Sequence, residues 1–319
     1  MNTKAIYVVT SQGKDHYLEQ FIISAYSLRL HNPDMPIILV TDEYTQSLIN
    51  KSRPEIHQYV SELVAVEIPP KFDQMQKSRY IKTSLRKIVS GDYLFIDSDT
   101  VITSNLSDVE RFDFHIGAVL DRHVPLHKHT GFSGIQKYAK LVNWEIPFDG
   151  SYFNSGIMYV KDNEKAHKLY EEWHRIWNDT LFNKGISIDQ PALAKANANL
   201  GYPIIEIDGT YNCQIIENGL KYLYNAKIIH YYASNIGKWD CPYVFRDYSL
   251  YEKIRQNGMD NEIKSLIANA KSAFNDKSMI LAGNMCDAYY STLSGIARRI
   301  FTNNPSLNKL IDRFYQTLS

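Results

Sequence analysis

Short apolar runs alternate with amphipathic helical stripes along most of the chain. Residues 5–9 form the first run, and apolar residues then recur at spacings of three and four from Tyr17 to Leu28, as on one face of a helix. Pro33 is expected to end that helix, because a proline disfavours helical backbone in the residue before it. Further runs typical of strands are found at residues 36–40, 63–68, 93–96, 115–120, 156–160, 204–207 and 227–229.

Helices are expected between these runs, near residues 46–50 and over residues 78–89, where Gly91 ends the pattern. Strands that alternate with helices are typical of a mostly parallel sheet with helices on both faces. The chain is therefore predicted to have an α/β fold of the Rossmann-like type. Beyond about Asp247 the stripes are helical only, so we expect an α/β domain over residues 1–246 and a helical C-terminal region over residues 247–319.

The C-terminal region combines apolar residues with basic ones. From residue 288 onward its charges include Arg298, Arg299, Lys309 and Arg313, against Asp312. A basic amphipathic helix of this kind is typical of contact with an anionic membrane surface. Packing on the main domain, or a contact in a homodimer, is an equally open interpretation.

Charge and cysteine content exclude several classes of protein. Lys+Arg and Asp+Glu are both 35, so net charge gives no indication of nucleic-acid binding. Cys213, Cys241 and Cys286 form no C-x-x-C pair, which argues against a disulfide framework or a zinc knuckle. The N-terminal residues lack the long apolar region of a signal peptide, and no apolar run approaches the roughly 20 residues that cross a bilayer. We expect a soluble cytoplasmic protein, at most peripheral at a membrane.

Polar residues follow several predicted strands at the point where each strand ends. Thr10 and Ser11 follow the first, Asp42 follows the second, and Asp97-Ser98-Asp99 follow the fourth. The carboxyl ends of parallel strands form the edge at which open α/β sheets bind ligands. Asp121, at the end of a later strand, is expected to line the same cleft.

The Asp97-Ser98-Asp99 sequence has the character of a metal site. Two carboxylates at this spacing, after the buried run Tyr93–Ile96, can hold Mg²⁺ or Mn²⁺, which in turn neutralises a diphosphate. A bare D-x-D occurs by chance on the order of once in such a chain, so the apolar flanks carry much of the argument. A pair of loop aspartates that caps the next turn is the alternative.

Taken together, five blocks in order resemble the GT-A-fold glycosyltransferases, and most of all glycosyltransferase family 8, the glycogenin and bacterial galactosyltransferase group. The blocks are Val8-Val9-Thr10-Ser11, Ser78-Arg79-Tyr80-Ile81-Lys82, Asp97-Ser98-Asp99, Phe153-Asn154-Ser155-Gly156 and Asp189-Gln190-Pro191. The resemblance covers roughly residues 4–240. It implies a GT-A fold and the use of a nucleotide-activated sugar.

The resemblance also assigns residues to the donor. It implies that Thr10 and Ser11 hold the nucleotide, that Arg79 or Lys82 reaches the donor, and that the turn over residues 154–156 touches sugar hydroxyls. Asp42 and Ser98, which also follow strands, complete the candidate nucleotide-sugar ligands. Two alternatives remain open, a solvated basic face for Lys82 and an ordinary strand-entry turn for Asn154, Ser155 and Gly156.

The family places an acidic residue and a glutamine beside the transferred sugar, and Asp189 and Gln190 match them as candidate catalytic residues. Asp189 before Pro191 is also a good helix start on local grounds alone, so capping is the alternative. His230 matches the third metal ligand of the family. The glycine-lysine-tryptophan of the signature that follows is shifted here to Gly237-Lys238-Trp239, where Lys238 is the candidate diphosphate contact.

The function expected from the residues and the resemblance is metal-dependent transfer of a hexose from a UDP-sugar to a hydroxyl of a glycan or a lipid-linked saccharide. Mn²⁺ or Mg²⁺ would be held by Asp97, Asp99 and His230, and the family implies retention of anomeric configuration. One rival is a sugar nucleotidyltransferase, but these need a glycine-rich basic loop and only Gly13 and Lys14 follow the first strand. The other rival is a non-catalytic nucleotide-sugar-binding protein.

Overall fold

A computed structural model describes residues 2–147, 150–233, 242–275, 288–289 and 291–318 of the chain. Its strands are β1 (Lys4–Val8), β2 (Ile37–Asp42), β3 (Glu62–Val66), β4 (Tyr93–Ile96), β5 (Thr100–Ile102), β6 (Ile116–Leu120), β7 (Phe153–Val160), β8 (Ile204–Glu206), β9 (Cys213–Gln214) and β10 (Ile228–His230). Its α-helices are α1 (Tyr17–His31), α2 (Glu43–Ser52), α3 (Gln74–Ile88), α4 (Phe132–Leu141), α5 (Glu164–Lys184), α6 (Gln190–Asn199), α7 (Tyr248–Asn257), α8 (Asn261–Ala268), α9 (Thr292–Asn303) and α10 (Pro305–Leu318). Short 3₁₀ helices include Pro54–Gln58 and Gly209–Asn212.

Seven of these strands form one sheet in the order β3-β2-β1-β4-β7-β6-β8. β1 runs parallel to β2 and β4, β2 to β3, and β6 to β8, whereas β7 is antiparallel to both of its neighbours. The predicted α/β fold with a mostly parallel sheet is therefore confirmed. A smaller sheet, β5-β10-β9, stands beside it. The apolar pattern does not predict β9, which has only two residues.

Alternate residues of the central strands enter two different hydrophobic clusters, because successive side chains of a strand point to opposite faces. Ile6 and Val8 of β1 join the cluster that α3, α5 and α6 cover. Ala5 and Tyr7 join the cluster that α1 covers on the opposite face. Helices on both faces explain why β1 reads as a continuous apolar run and not as an alternating one.

Helix starts are set by side chains that the apolar pattern does not report. Asp73 and Gln76 form a reciprocal capping box, so α3 begins four residues before the predicted position 78. Asp42 accepts a hydrogen bond from the Thr45 N–H at 3.1 Å and caps α2. Both caps lie close to the carboxyl ends of β1 and β2, and they fix the helices that frame this edge of the sheet.

The first two helices beyond Asp247 share a third cluster with the small sheet. Tyr251 and Ile254 of α7 pack there with Ile263 of α8, Val101 of β5 and Ile229 of β10. The division of the chain at residue 246 stays a prediction. Across the described segments, none of the helices has both the length and the apolarity that crossing a membrane requires.

We expect acid to destabilise the fold through His123. This histidine is buried, its Nε2 accepts the Gln214 N–H at 3.3 Å, and burial lowers its pKa from the ordinary 6.5 to about 3. Between pH 6.5 and about pH 3 the imidazole is protonated in the unfolded chain and neutral in the folded chain. The contribution of neutral His123 to the free energy of unfolding is therefore complete above pH 6.5 and is lost as the pH falls. At pH 5 the loss is about 2 kcal/mol. Urea unfolding at pH 7 and at pH 5 measures how much unfolding free energy is lost between the two pH values. This loss should be smaller in His123→Gln than in the wild type by about 2 kcal/mol. An equal loss in both proteins would contradict the prediction.

Candidate active site at the carboxyl edge of the sheet

The structure brings Asp97, Asp99 and His230 together. Asp97 directly follows β4, Asp99 precedes β5, and His230 ends β10, which pairs with β5 so that His230 lies opposite Thr100. One potential ligand atom from each of the three side chains lies within 4.8 Å of the other two. The His230 Nε2 and Asp99 Oδ1 atoms are 3.3 Å apart. The pairing of β10 with β5 thus brings a histidine beside carboxylates more than a hundred residues away in the chain.

Asn212 determines which nitrogen of His230 faces the carboxylates. His230 Nδ1 lies 3.1 Å from Asn212 Oδ1, and the Asn212 amide is oriented because its Nδ2 donates to Asn154 Oδ1 at 2.9 Å. The Nδ1–H therefore donates to Asn212, and Nε2 points toward Asp99. Tyr232 stacks on the imidazole with ring centroids 4.2 Å apart and a 7° interplanar angle. The ring is thus held at its edge and on its face.

Charge in this cluster is unevenly distributed. Burial and the neighbouring Asp99 raise the pKa of Asp97, although Lys82 and His230 act against the rise. Burial also works to raise the pKa of Asp99, but the charge of His230 and its hydrogen bond lower it overall. For His230 burial lowers the pKa, and the two aspartates more than reverse that effect. The repulsion between two close carboxylates beside an imidazole would be relieved by one cation that contacts all three side chains.

Gly156 leaves the space that this arrangement requires. Its carbonyl accepts a hydrogen bond from the Asp97 N–H at 2.8 Å. A Cβ at position 156 would lie 2.5 Å from His230 Cε1, 2.8 Å from Asp97 Oδ2 and 2.9 Å from Asn154 Oδ1. The backbone of β7 thus passes directly against the cluster. The hard oxygen atoms and the imidazole nitrogen that converge here are a donor set that fits Mn²⁺ or Mg²⁺.

A second charged group adjoins the first through Lys82. The Lys82 Nζ lies 3.3 Å from Asp97 Oδ1 and 3.9 Å from Asp189 Oδ2, while Arg79 Nε lies 2.9 Å from Asp189 Oδ1. Arg79 and Lys82 share one face of α3, as their spacing predicts. Lys82 is only 3% exposed, so the alternative of a solvated basic face is wrong for this residue.

The structure also separates the two interpretations of Asp189. Asp189 stands at the start of α6, yet its side chain makes no capping hydrogen bond there. Instead it pairs with the cations of α3 and accepts a hydrogen bond from Ser155 Oγ at 3.3 Å. Burial works to raise the pKa of Asp189, but Arg79 and Lys82 lower it overall, so the carboxylate stays ionised. Gln190, next along the chain, is half-buried.

Asn154 is the centre of a hydrogen-bond network. Its Nδ2 donates to Asp121 Oδ1 at 2.9 Å and to the Tyr232 hydroxyl at 2.8 Å. Its Oδ1 accepts from the Gly156 N–H at 3.0 Å and from Asn212 Nδ2. These bonds use both donors and both acceptor sites of the amide. Asn154 therefore supports His230 from behind, and its contact with a sugar stays a prediction.

The network includes residues that the sequence analysis missed. Asn212 and Gln214 lie in a 3₁₀ helix and a two-residue strand, where periodicity gives no signal. Tyr232, two residues after His230, was not identified as a candidate, and its hydroxyl donates to Gln214 Oε1 at 2.8 Å. Asp121, which the sequence analysis did expect to line the cleft, pairs with His129 Nε2 at 2.9 Å as well as with Asn154. The sequence offers no signal for Asn212 or Gln214, and for Tyr232 only its position two residues after a predicted ligand.

The predicted nucleotide residues lie at the same edge, on the strands beyond β4. The Thr10 Oγ1 donates to the Gln74 carbonyl at 3.1 Å, and Ser11 Oγ donates to Asp15 Oδ1 at 2.8 Å. Asp42 caps α2 with one carboxylate oxygen and accepts from Lys77 Nζ at 2.7 Å with the other. All three predicted residues are buried, and these contacts connect the β1 loop with α2 and α3.

The two remaining predicted residues are Ser98 and Lys238. Ser98, between the two aspartates in the chain, is half-buried. Lys238 lies outside the described residues, as do the neighbouring Gly237 and Trp239. The diphosphate contact predicted for Lys238 therefore stays a prediction.

Comparison with known proteins bears on the family and the fold of the chain. Residues 8–239 match the sequence profile described as Glycosyl transferase family 8. Among curated proteins, no significant match to the chain was found. The glycosyltransferase GlyE of Streptococcus pneumoniae TIGR4 superposes with a TM-score of 0.50 at 15% identity, over 87% of this chain and 66% of that one.

Two further solved structures are similar to the chain. Mouse xyloside xylosyltransferase 1 aligns with a TM-score of 0.49 at 14% identity, over 73% of this chain and 99% of that one. The galactosyltransferase LgtC, in complex with donor and acceptor sugar analogues, aligns with a TM-score of 0.49 at 13% identity, over 82% and 99% of the two chains.

Proposed function

This chain belongs to glycosyltransferase family 8, and we propose that it transfers a hexose from a UDP-sugar to an acceptor hydroxyl in a metal-dependent reaction. The observation that carries the proposal is the convergence of Asp97, Asp99 and His230 within 4.8 Å, next to the buried Lys82. These three residues would hold Mn²⁺ or Mg²⁺. Such an ion would supply, as a Lewis acid, the positive charge that a departing diphosphate needs.

The residues around this cluster fix its geometry. Asn212 and Tyr232 hold the His230 ring so that only Nε2 is offered to the cation. Lys82 lies between Asp97 and Asp189 and places a positive charge where phosphate and sugar oxygens would meet. Such preorganised charges act strongly in a partly buried site, because little water has to be rearranged around them.

Asp189, Gln190 and Ser155 are proposed to contact the transferred sugar. Asp189 is buried, ionised and held by Arg79, so its oxygens are oriented to accept hydrogen bonds from sugar hydroxyls. We also propose that the anomeric configuration is retained, as the resemblance implies, and this proposal needs no protein nucleophile. We therefore assign Asp189 to sugar positioning.

The nucleotide is proposed to lie along the ends of β1 and β2, near Thr10, Ser11 and Asp42, with Ser98 and Lys238 toward the diphosphate. The acceptor is proposed to be a hydroxyl of a glycan or of a lipid-linked saccharide. We propose a cytoplasmic location for the enzyme, in keeping with Cys213, which is free and buried.

The proposal is tested by measuring UDP release from a panel of UDP-hexoses. We expect one donor to be turned over, the reaction to stop in EDTA, and excess Mn²⁺ to restore it. UDP release that persists in EDTA would remove the metal assignment. Calorimetric binding of UDP that is indifferent to Mn²⁺, without turnover of any donor, would favour a non-catalytic binding protein.

A further inference from the structure

A cavity of about 560 Å³ lies between α1, the 3₁₀ helix that follows α2, and the helices α7 and α8. Its apolar lining consists of Ile22, Tyr26, Tyr59, Ile254 and Met259. The exposed Ser52 and Gln58 also line it, so the cavity is open to solvent. None of the described residues that line it belongs to the metal cluster or to the cations beside that cluster. A cavity of this volume has the size of a site for a small metabolite.

Basic side chains outnumber acidic ones in this lining. The cations are Arg53, Arg255 and Lys264, and the one acidic residue among them is Glu55. Lys264 is half-buried, and within the part of the chain that the structure describes no acidic side chain lies at ion-pair distance from its amine. An excess of positive charge in a partly enclosed cavity favours an anionic ligand.

The two arginines are held in place by a buried carboxylate. Glu19 of α1 pairs with Arg53 Nη2, and its Oε2 lies 2.9 Å from Arg255 Nη2. The other terminal nitrogens face outward. Arg53 Nη1 lies 3.1 Å from Glu55 Oε1, and Arg255 Nη1 lies 3.3 Å from Glu252 Oε1. The guanidinium groups are thus fixed from α1 and present their remaining donors to carboxylates at the surface.

These outer carboxylates occupy positions that the oxygen atoms of a stronger anion could take. The side chains of Glu55 and Glu252 are 36% and 47% exposed, whereas that of Glu19 is 2% exposed. Ion pairs with exposed partners are worth only about 0–1 kcal/mol, so a doubly charged phosphate can replace them. Arginine binds phosphate with the same paired hydrogen bonds that it makes to a carboxylate.

Arg53 and Arg255 also line a smaller cavity, of about 210 Å³. There Asp15 and Glu19 balance the two arginines, which leaves no excess of positive charge. The smaller cavity also adjoins Ser11, in the loop where the nucleotide is proposed to lie. The larger cavity is therefore the one whose charge suits a further anionic ligand.

We propose that the larger cavity binds a hexose phosphate, with the phosphate on Arg53, Arg255 and Lys264 and the sugar ring against Tyr26 and Tyr59. The two tyrosine rings meet edge to face, with centroids 6.4 Å apart and an interplanar angle of 85°. A tyrosine ring packs on an apolar surface while its hydroxyl stays hydrogen-bonded, and this combination suits a sugar. The proposal goes beyond the proposed function and does not depend on it.

The test is isothermal titration calorimetry of the full chain in EDTA, with glucose 6-phosphate, inorganic phosphate and glucose as probes. EDTA keeps divalent cations out of the proposed active site. We expect glucose 6-phosphate to bind at least about tenfold more tightly than either other probe, and to bind more weakly as salt is raised. Equal binding of inorganic phosphate would show that the sugar is not recognised, and equal binding of glucose would show that the phosphate is not. Either result, or no binding of glucose 6-phosphate, would overturn the proposal.

Two single variants locate the ligand in this cavity. Lys264→Ala removes the cation that has no acidic partner, and Gln58→Glu adds a negative charge to the lining. Each should weaken the binding of glucose 6-phosphate at least about tenfold. The matched controls are Lys165→Ala on α5 and Gln136→Glu on α4, which change exposed residues outside the lining and should bind like the wild type.

Thermal unfolding should be the same for all four variants, because the changed side chains are exposed or half-buried. Binding of glucose 6-phosphate at wild-type strength in both Lys264→Ala and Gln58→Glu would place the ligand elsewhere and contradict the proposal. UDP release from a UDP-hexose, measured without glucose 6-phosphate, should be unchanged in these two variants. Failure of this site is therefore distinguishable from failure of the proposed reaction.

Discussion

Asp99→Asn is expected to reduce metal-dependent turnover of the UDP-sugar by roughly a thousandfold. The substitution keeps the shape of the side chain but removes the charge that faces His230 Nε2 at 3.3 Å. A cation at this position would then lose one of its anionic oxygen ligands. We expect the stabilisation of the transition state by the metal ion to fall by about 4 kcal/mol, which corresponds to the roughly thousandfold loss in rate. The measurement is steady-state UDP release at saturating Mn²⁺, together with calorimetry of UDP in its presence.

The control for this variant is Asp34→Asn, which makes the same chemical change at an exposed turn between α1 and β2. It should turn over the donor at the rate of the wild type. Thermal unfolding of both variants shows whether the fold is retained, since the Asp99 Oδ2 also accepts the Ala233 N–H at 3.0 Å. Donor turnover in folded Asp99→Asn at the wild-type rate would end the metal assignment.

Much of the fold could be predicted because its signals are local. The apolar runs of β1, β2 and β4 identify buried parallel strands, and a strand that ends in Asp97 places that carboxylate at the carboxyl edge. Helix boundaries were less accurate. The start of α3 depends on a capping box, which lies outside the apolar stripe that predicted residues 78–89.

The environment of His230 could not be predicted, since it depends on pairing across the chain. β10 lies between β5 and β9, and this position brings Asn212 under the imidazole and Gln214 beside the Tyr232 hydroxyl. β9 has two residues and the 3₁₀ helix before it has four, so neither gives a periodic signal. A histidine after a strand indicated a ligand, but not what orients it.

The sequence left two interpretations open for Lys82 and for Asp189. The burial and the ion pairs of these side chains decide between them, and a single sequence reports neither. Lys82 has the same local pattern as a solvated helix face, yet α5 packs over α3, with Thr83 Oγ1 2.7 Å from His174 Nδ1. Lys82 itself lies inward, with its Nζ 3.3 Å from Asp97 Oδ1 and 3.9 Å from Asp189 Oδ2. Asp189 in turn leaves its capping position because Arg79 provides a charged partner at 2.9 Å.

Gly156→Ala is expected to reduce turnover at least roughly a hundredfold and to shift the Mn²⁺ requirement to higher concentration. The added Cβ would meet His230 Cε1 at 2.5 Å, a distance that real structures do not tolerate. The imidazole cannot move aside, because Tyr232 stacks on its face and Asn212 holds its Nδ1. Overpacking of this kind costs about 1–3 kcal/mol and misplaces the ligands. The measurement is UDP release as a function of Mn²⁺ concentration.

Gly134→Ala is the matched control, because among the described residues no atom outside its chain neighbours and its own helix backbone lies within 4 Å of the new Cβ. Gly134 is inside α4, where alanine is the better helix former by roughly 0.5–1 kcal/mol. This control should therefore keep the Mn²⁺ dependence of the wild type and unfold at the same or a slightly higher temperature. If Gly156→Ala also keeps the wild-type Mn²⁺ dependence, the backbone of β7 does not set the geometry of the metal ligands.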